Sequence, residues 1–366
     1  MLNWISVVTY CASARPCATR KKPLQLYIVL LLLRLGLIGS GDIVRKRVAP
    51  ALRDLANCEL LAVSRAQPAL AEAFAQAVGA RKWYRGWEEL LLDKEIDAVY
   101  IATPVHLHAA QAVAAADAGK HVLCEKPMAM SVGECDQMIA ACRANNVKLG
   151  IAYYRRFYPA LGRIKEVLAA GELGEVVFVQ INAFEWFDPP PDHPRRWLIK
   201  REQAGGGPMF DFGCHRLELL VNLFGPVRRV ASIIGNVVFD REVEDTAAAL
   251  LQFERGACAA LSVTHAAFEP QDTLDVFCTK GSLHVAELNK GEVRITRAHA
   301  AERVESHPPA ANVHQPLIED FVDAVLTGRE PKVNGETGRM VASIEEEIYA
   351  GALRAEQRHD RGRDSC

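Results

Sequence analysis

The sequence has no marked excess of positive or negative charge, no closely spaced pair of cysteines and no long apolar run. Its 43 Lys and Arg residues nearly balance 45 Asp and Glu residues, so a general nucleic-acid binder with a basic surface is excluded. The ten cysteines form no C-x-x-C pair, which argues against zinc and favours reduced, core-filling thiols in a cytoplasmic protein. The apolar run Tyr27–Leu33 is far shorter than the ~20 residues that a membrane helix needs.

Acidic residues are missing from the start of the chain. No Asp or Glu precedes Asp42, whereas several Lys and Arg residues stand before the apolar run. This combination is compatible with a weak targeting leader, but the run is short and no small-x-small cleavage site accompanies it. We favour an unstructured extension, or a start codon assigned too far upstream, and exclude residues 1–33 from the fold.

From Leu35 onward, short apolar strands alternate with helical stretches. Strands are predicted at Leu35–Ile38, Glu59–Val63, Asp97–Ala102, His121–Cys124 and Val147–Ala152, with helices at Asp42–Ala56, Pro68–Val78, His106–Ala118 and Val132–Ala144. Continuously apolar strands separated by helices indicate a parallel sheet that is covered on both faces. Residues 34–152 are therefore predicted to form a doubly wound α/β domain, a Rossmann fold.

The pattern changes after residue 152. Strands are predicted at Val176–Phe184, Val227–Val238, Thr246–Phe253, Ala257–Ala266, Thr273–Cys278 and Ser282–Ala286, and helices at Pro159–Ala170, Gly207–Phe224, Pro316–Thr327 and Glu336–Leu353. Strands that follow one another without helices indicate a mostly antiparallel sheet. Residues 153–353 are therefore predicted to form an α+β domain, and the charged tail 354–366 is expected to fray.

The first motif, Gly39-Ser40-Gly41-Asp42-Ile43, follows a strand and opens a helix. Glycines there allow a tight turn and close approach to a pyrophosphate, which the helix N-terminus attracts. The third glycine of G-x-G-x-x-G is replaced by Val44, so a plain strand-to-helix turn remains an alternative.

The residues at the end of the second strand indicate which dinucleotide the domain prefers. An NAD-binding domain usually carries an acidic residue there, but this chain has Ser64-Arg65. An arginine can pair with a 2′-phosphate, so the sequence favours NADP(H) over NAD(H). The alternative is that Arg65 points into solvent.

Two further segments lie at the ligand edge of the sheet. Thr103-Pro104 provides a good helix N-cap followed by a first-turn proline. Glu125-Lys126-Pro127 follows the next strand, where ligands of open α/β sheets bind. A lysine held there beside a nicotinamide could exchange a proton with a substrate oxygen.

Asp211 and His215 follow a run of three glycines, Gly205 to Gly207. Residues four apart share one face of a helix, and a carboxylate beside an imidazole makes a general acid or base. A surface pair or half of a metal site would give the same pattern, but no further ligands stand at a matching spacing, so we predict no metal.

Together these motifs resemble the glucose–fructose oxidoreductase/inositol dehydrogenase/rhizopine catabolism (Gfo/Idh/MocA) family over about residues 34–350. The resemblance implies that Lys126 is the catalytic lysine, that His215 accepts a proton from a sugar or polyol hydroxyl, and that Asp211 orients substrate or His215. It also implies cofactor contacts from His108 and from Arg156. Trp197 matches a family tryptophan usually followed by arginine, but Leu198 stands there, which puts a contact from that loop in doubt.

The resemblance further implies an open C-terminal sheet whose free face forms the interface of a homodimer or homotetramer. The expected activity is hydride transfer between NADP(H), or NAD(H), and a sugar, inositol or related polyol. Two alternatives stay open at this point: a hydrolase or lyase that retains NAD⁺ and recycles it, and a non-catalytic dinucleotide-binding protein.

Overall fold

The first sheet contains six parallel strands, and the computed structural model describes residues 32–65 and 67–363 of the chain. The strands are β1 (Leu33–Ile38), β2 (Cys58–Ser64), β3 (Lys82–Tyr84), β4 (Ala98–Ile101), β5 (His121–Cys124) and β6 (Leu149–Ile151). They lie in the order β3-β2-β1-β4-β5-β6, so the strand order reverses between β1 and β4. Ligands of such sheets bind at that reversal, beyond the carboxyl ends of the strands.

The helices of this half are α1 (Ala49–Asp54), α2 (Pro68–Val78), α3 (Trp87–Leu91), α4 (His108–Asp117) and α5 (Val132–Ala144). They cover both faces of the sheet because strand side chains alternate between two apolar clusters. Ala98 and Tyr100 of β4 join the cluster that contains α1 and α2, whereas Val99 and Ile101 join the one with α4 and α5. The predicted doubly wound parallel sheet is confirmed.

Some details differ from the sequence-based expectation. The first helix opens with a π-helical turn, Val44–Val48, and ends at Asp54 rather than Ala56. Strand β3 and helix α3 were not predicted, because β3 is three residues long and its central Trp83 is exposed. The extension expected over residues 1–33 lies outside the described residues except for Leu32 and Leu33.

The second sheet has eight strands in the order β14-β13-β12-β11-β7-β10-β9-β8. The strands are β7 (Val176–Trp186), β8 (Val227–Gly235), β9 (Thr246–Phe253), β10 (Cys258–Thr264), β11 (Ala266–Cys278), β12 (Gly281–Val285), β13 (Glu292–Arg297) and β14 (Arg303–Ser306). Strands β7 and β10 pair in parallel, and every other neighbouring pair is antiparallel. The predicted mostly antiparallel sheet is therefore confirmed, although β13 and β14 were missed.

One face of the second sheet is buried and the other is open. The helices of this half are α6 (Pro159–Ala169), α7 (Arg201–Ala204), α8 (Cys214–Phe224), α9 (Gln315–Thr327) and α10 (Gly335–Arg363). A π-helical turn, Met209–Gly213, leads into α8, which packs with the buried strand residues. The outward residues Ile233, Leu250 and Phe277 remain exposed by 79%, 58% and 40%.

The last two helices return towards the first sheet. Ile318, Phe321 and Val322 of α9 pack in the same apolar cluster as Leu35 and Leu37 of β1. Helix α10 continues to Arg363, ten residues beyond the end predicted at Leu353. Within the described ranges, no helix is both long enough and apolar enough to cross a membrane. The seven cysteines described in the structure are all free thiols.

Candidate active site

Gly39 lies where the carboxyl ends of β1 and β4 approach each other. Its φ is +101°, and a Cβ there would lie 2.4 Å from the carbonyl oxygen of Ala102, so only glycine fits. A Cβ on Gly41 would meet no described heavy atom within 4 Å. The backbone amides of Ser40 and Gly41 donate to no described residue. This turn therefore offers unpaired donors beside open space, which fits a dinucleotide pyrophosphate.

The side chains that flank this turn point in different directions. Asp42 pairs with Lys46 at 3.0 Å on the surface, and Ile43 is exposed. The hydroxyl-bearing side chain of Ser64 is buried beneath the turn, and its carbonyl oxygen accepts from the Gly39 amide at 3.4 Å. Arg65 is half-buried, and its guanidinium forms no ion pair with a described residue.

His108 joins the loops that follow β4 and β5. One ring nitrogen contacts the carbonyl oxygen of Thr103 at 2.9 Å, and the other contacts that of Pro127 at 3.0 Å. Thr103 donates its hydroxyl to Gln111 at 2.7 Å, and Pro104 precedes the next helical turn. His108 therefore positions the two loops around the crevice, with both nitrogens already engaged.

Glu125 is buried beneath the same crevice. Its Oε1 accepts from the hydroxyl of Tyr100 at 2.8 Å and lies 3.6 Å from Nε2 of His314. Its Oε2 accepts from the backbone amide of Lys126 at 3.2 Å. The carboxylate thus fixes the backbone from which the Lys126 side chain leaves.

Lys126, from the loop after β5, and Asp211, from the π-helical turn before α8, meet at the crevice. The ammonium group donates to the backbone oxygen of Asp211 at 2.7 Å and to Oδ1 at 3.1 Å. Burial acts to lower the pKa of Lys126, but the Asp211 carboxylate outweighs it and the pKa lies above its ordinary value. Burial acts to raise the pKa of Asp211, yet the Lys126 and Arg195 charges hold it below its ordinary value. Both groups are therefore charged at neutral pH.

His215 lies one helical turn after Asp211 and is 3% exposed. Its ring meets the ring of Tyr154 at 4.7 Å, and its Nδ1 is buried without a partner among the described residues. Burial lowers the pKa of His215 well below its ordinary value, and the charges of Lys126 and Arg155 act in the same direction. The imidazole is therefore neutral and able to accept a proton.

The structure does not bring Arg156 to this cluster. Its guanidinium donates to Glu218 at 2.6 Å and to Asn222 at 2.5 Å, farther along α8. The loop that precedes α7 reaches the site instead through Arg195, two residues before Trp197. Arg195 lies 3.6 Å from Oδ2 of Asp211, so this loop does contact the cluster without an arginine at position 198.

Sequence reasoning missed several polar and charged side chains on the buried face of the second sheet. Glu185 and His265 stand at the ends of β7 and β10, close to Asp211. Asp272 accepts from Arg155 at 3.0 Å and from Arg216 at 2.5 Å, which leaves a net positive charge near His215. In the sequence, these residues could be recognised only as polar residues at inward-facing positions of each strand. Their proximity to one another depends on the strand pairing, which the sequence does not reveal.

The arrangement places a charged ammonium group and a neutral imidazole beside a crevice suited to a dinucleotide. An ammonium group stabilises negative charge on an oxygen, and a neutral imidazole takes up a proton. Proton transfer from a hydroxyl, coupled to hydride transfer, can use both groups. The residues present therefore fit NAD(P) and redox chemistry at a carbinol carbon.

Comparison with known proteins agrees with this geometry. Residues 33–153 match the model of the oxidoreductase family with an NAD-binding Rossmann fold, and residues 161–284 match the GFO/IDH/MocA C-terminal domain. A D-xylose 1-dehydrogenase (NADP⁺) of Haloferax volcanii is 32% identical, over 87% of this chain and 96% of its own. A 1,5-anhydro-D-fructose reductase of Ensifer adhaerens is 29% identical, over 83% of this chain and 92% of its own.

The fold is also similar to that of a levoglucosan dehydrogenase solved with NADH and levoglucosan. The TM-score is 0.81 at 25% identity, and the match covers 88% of this chain and 97% of that one. The two family matches together include the whole first sheet and the second sheet from β7 to most of β12, and the strand order and glycine turn agree with the first of them. This chain therefore belongs to the Gfo/Idh/MocA family and is an oxidoreductase with an NAD(P)-binding Rossmann domain.

Proposed function

We propose that the protein transfers a hydride between NAD(P) and a carbon that bears a hydroxyl or carbonyl group in a sugar, inositol or related polyol. The observation that carries this proposal is the approach of Lys126 and Asp211 to within 3.1 Å at the crevice, one helical turn from His215. The named activities of the similar proteins, on D-xylose, 1,5-anhydro-D-fructose and levoglucosan, support the substrate class.

Each side chain has a distinct part in the proposed reaction. The ammonium group of Lys126 donates to the reacting oxygen, while His215 takes the hydroxyl proton in oxidation and returns it in reduction. Asp211 holds the ammonium group in place and keeps it charged. The bound nicotinamide supplies the hydride acceptor or donor.

The cofactor preferred in this proposal is NADP(H). Arg65 lies at the end of β2, half-buried and without an ion pair to a described residue, so a 2′-phosphate would give it a partner. The name of the Haloferax volcanii relative includes NADP⁺, which supports the same preference. NAD(H) is the alternative that the screen below would detect.

The open face of the second sheet supports a homodimer or homotetramer. Ile233, Leu250 and Phe277 are large apolar side chains that project from three strands of one face. An apolar sheet face of this kind favours association with a second copy. The cytoplasmic location expected from the cysteines stays a prediction.

The test is a screen of sugars, inositols and their keto forms with NADP⁺, NAD⁺ and both reduced cofactors. Turnover should change the absorbance of the reduced nicotinamide in step with substrate consumption. Product formation without any net absorbance change would instead support the hydrolase or lyase that recycles a retained NAD⁺. Binding of the dinucleotide without turnover of any compound would support a non-catalytic protein.

A further inference from the structure

Glu185 and His265 are neighbours because β7 and β10 pair in parallel. Phe184 lies opposite Thr264 in that pairing, so the next residues, Glu185 and His265, stand side by side. Both continue the inward alternation of their strands, which is apolar up to that point. The buried face of the sheet therefore becomes polar where it meets the start of α8.

These two side chains form a compact group with Asp211. Nε2 of His265 lies 3.6 Å from Oε1 of Glu185, and one polar atom from each of the three residues lies within 4.8 Å of the others. His265 is fully buried, whereas the Glu185 side chain is 43% exposed. The group therefore has a closed side, formed by the imidazole, and an open side, formed by the carboxylate.

Two carboxylates and a histidine could hold a metal ion, but the far side of the imidazole argues against one. Arg241 donates from Nη2 to Nδ1 of His265 at 2.9 Å. A guanidinium has no acceptor, so Nδ1 of the neutral ring must accept and the proton must lie on Nε2. A metal ligand needs a lone pair at Nε2, which this tautomer lacks.

The N–H group at Nε2 is thus a fixed donor on the side of the ring that faces Glu185. It has no hydrogen-bond partner among the described residues, and burial lowers the pKa of His265 to about 4, so the ring is neutral at physiological pH. A buried donor without an acceptor destabilises a protein unless a ligand supplies the acceptor. The adjacent Glu185 supplies an acceptor that the same ligand can use.

We propose that Glu185 and His265 bind a second hydroxyl group of the substrate, on the carbon next to the one that is oxidised. A hydroxyl both donates and accepts, and this pair offers one acceptor and one donor. Asp211 contacts Lys126 on one side and lies close to Glu185 and His265 on the other. The hydroxyl bound by Glu185 and His265 must therefore lie a short distance from the hydroxyl that reacts beside Lys126. The inference rests on the proposed function and narrows its substrate to vicinal diols.

The experiment compares a good substrate from the screen with its analogue that lacks the neighbouring hydroxyl. Wild type should strongly favour the diol in kcat/KM. Glu185→Met removes the acceptor from a half-exposed position, and His265→Phe removes the donor while keeping a ring. Each variant should lose about 10- to 100-fold in kcat/KM on the diol and change little on the deoxy analogue. His307→Gln, at a position just after the edge strand β14 where the histidine pairs with Glu305, should match wild type on both compounds.

The outcomes separate this inference from the function on which it rests. No turnover of any sugar or polyol with either cofactor would overturn the proposed function. If both variants kept the wild-type preference for the diol, or if wild type showed no such preference, this inference would be overturned and the proposed function would stand. A divalent metal bound stoichiometrically by wild type and lost from His265→Phe would also overturn it, because the cluster would then be a metal site. Glu185→Met provides the decisive comparison if His265→Phe fails to fold.

Discussion

The ammonium group of Lys126 donates to Asp211 twice, to its backbone oxygen and to its carboxylate. One residue thereby ties the loop after β5 to the start of α8. A lysine that makes two short contacts keeps both its charge and its direction, so it can meet a substrate oxygen without reorganising.

Replacement of this lysine tests its role directly. Lys126→Ala is expected to lower turnover by ~10²–10⁴-fold, because the reacting oxygen loses its charged donor. Affinity for NADPH, measured by fluorescence titration, should stay nearly unchanged. Lys148→Ala is a matched control, since that lysine pairs with Glu330 at the surface. Undiminished turnover in Lys126→Ala would remove this residue from the mechanism.

The two glycines of the first turn should respond differently to alanine. Gly39→Ala forces a side chain into a positive φ and against the Ala102 carbonyl oxygen, so it should cost about 1–3 kcal/mol or more in unfolding free energy. Gly41→Ala adds a methyl group to open space and should leave stability unchanged while it weakens dinucleotide binding. Thermal unfolding with and without NADP⁺ measures both effects. Equal stability of the two variants would contradict the geometry of the turn.

Cofactor preference should depend on Arg65. Arg65→Ser is expected to lower kcat/KM with NADP⁺ by about tenfold or more and to leave that with NAD⁺ nearly unchanged, because a 2′-phosphate loses its cation. Arg81→Ser is the control, since Arg81 pairs with Glu59 at the surface. A wild-type enzyme that prefers NAD⁺ tenfold would show that Arg65 has no such partner.

Stability should fall as the solution becomes acidic. Burial lowers the pKa of His265 to about 4 and that of His215 well below its ordinary value. As the pH falls below ~6.5, the unfolded chain binds protons that the folded protein excludes. The contribution of these two histidines to stability is therefore complete above that pH and is lost progressively towards pH 4. For His265 alone the full effect is roughly 3 kcal/mol.

Urea unfolding over this pH range measures the decline. His265→Phe should lower stability at neutral pH, because Arg241 loses its acceptor, but its further loss on acidification should be smaller than that of wild type. Parallel curves for wild type and His265→Phe would mean that this histidine titrates normally in the folded protein.

Much of the fold was predictable because its signals are local. Strand His121–Cys124 and helix Val132–Ala144 were predicted with the bounds that the structure shows, the first from its apolar run and the second from its position between two apolar strands. Strands β13 and β14 were missed because they alternate charged and apolar residues and lack a continuous apolar run.

The residues of the site also differ in whether local sequence signals reveal them. Gly39 and Lys126 are recognisable because each follows a buried strand at the ligand edge of a parallel sheet. Glu185 and His265 are 80 positions apart and become neighbours only through the pairing of β7 with β10. The direction in which the Arg156 side chain points was equally unpredictable, because its partner Glu218 lies on α8, 62 residues later in the chain.

The return of α9 to the first sheet has a consequence for synthesis. Phe321 lies against Gly150, and its helix completes the cluster around β1. While the chain leaves the ribosome, this part of the nucleotide-binding half therefore stays uncovered until nearly the last residues emerge. Premature termination of translation after β6 would release a fragment with an exposed apolar surface, which chaperones and proteases would recognise.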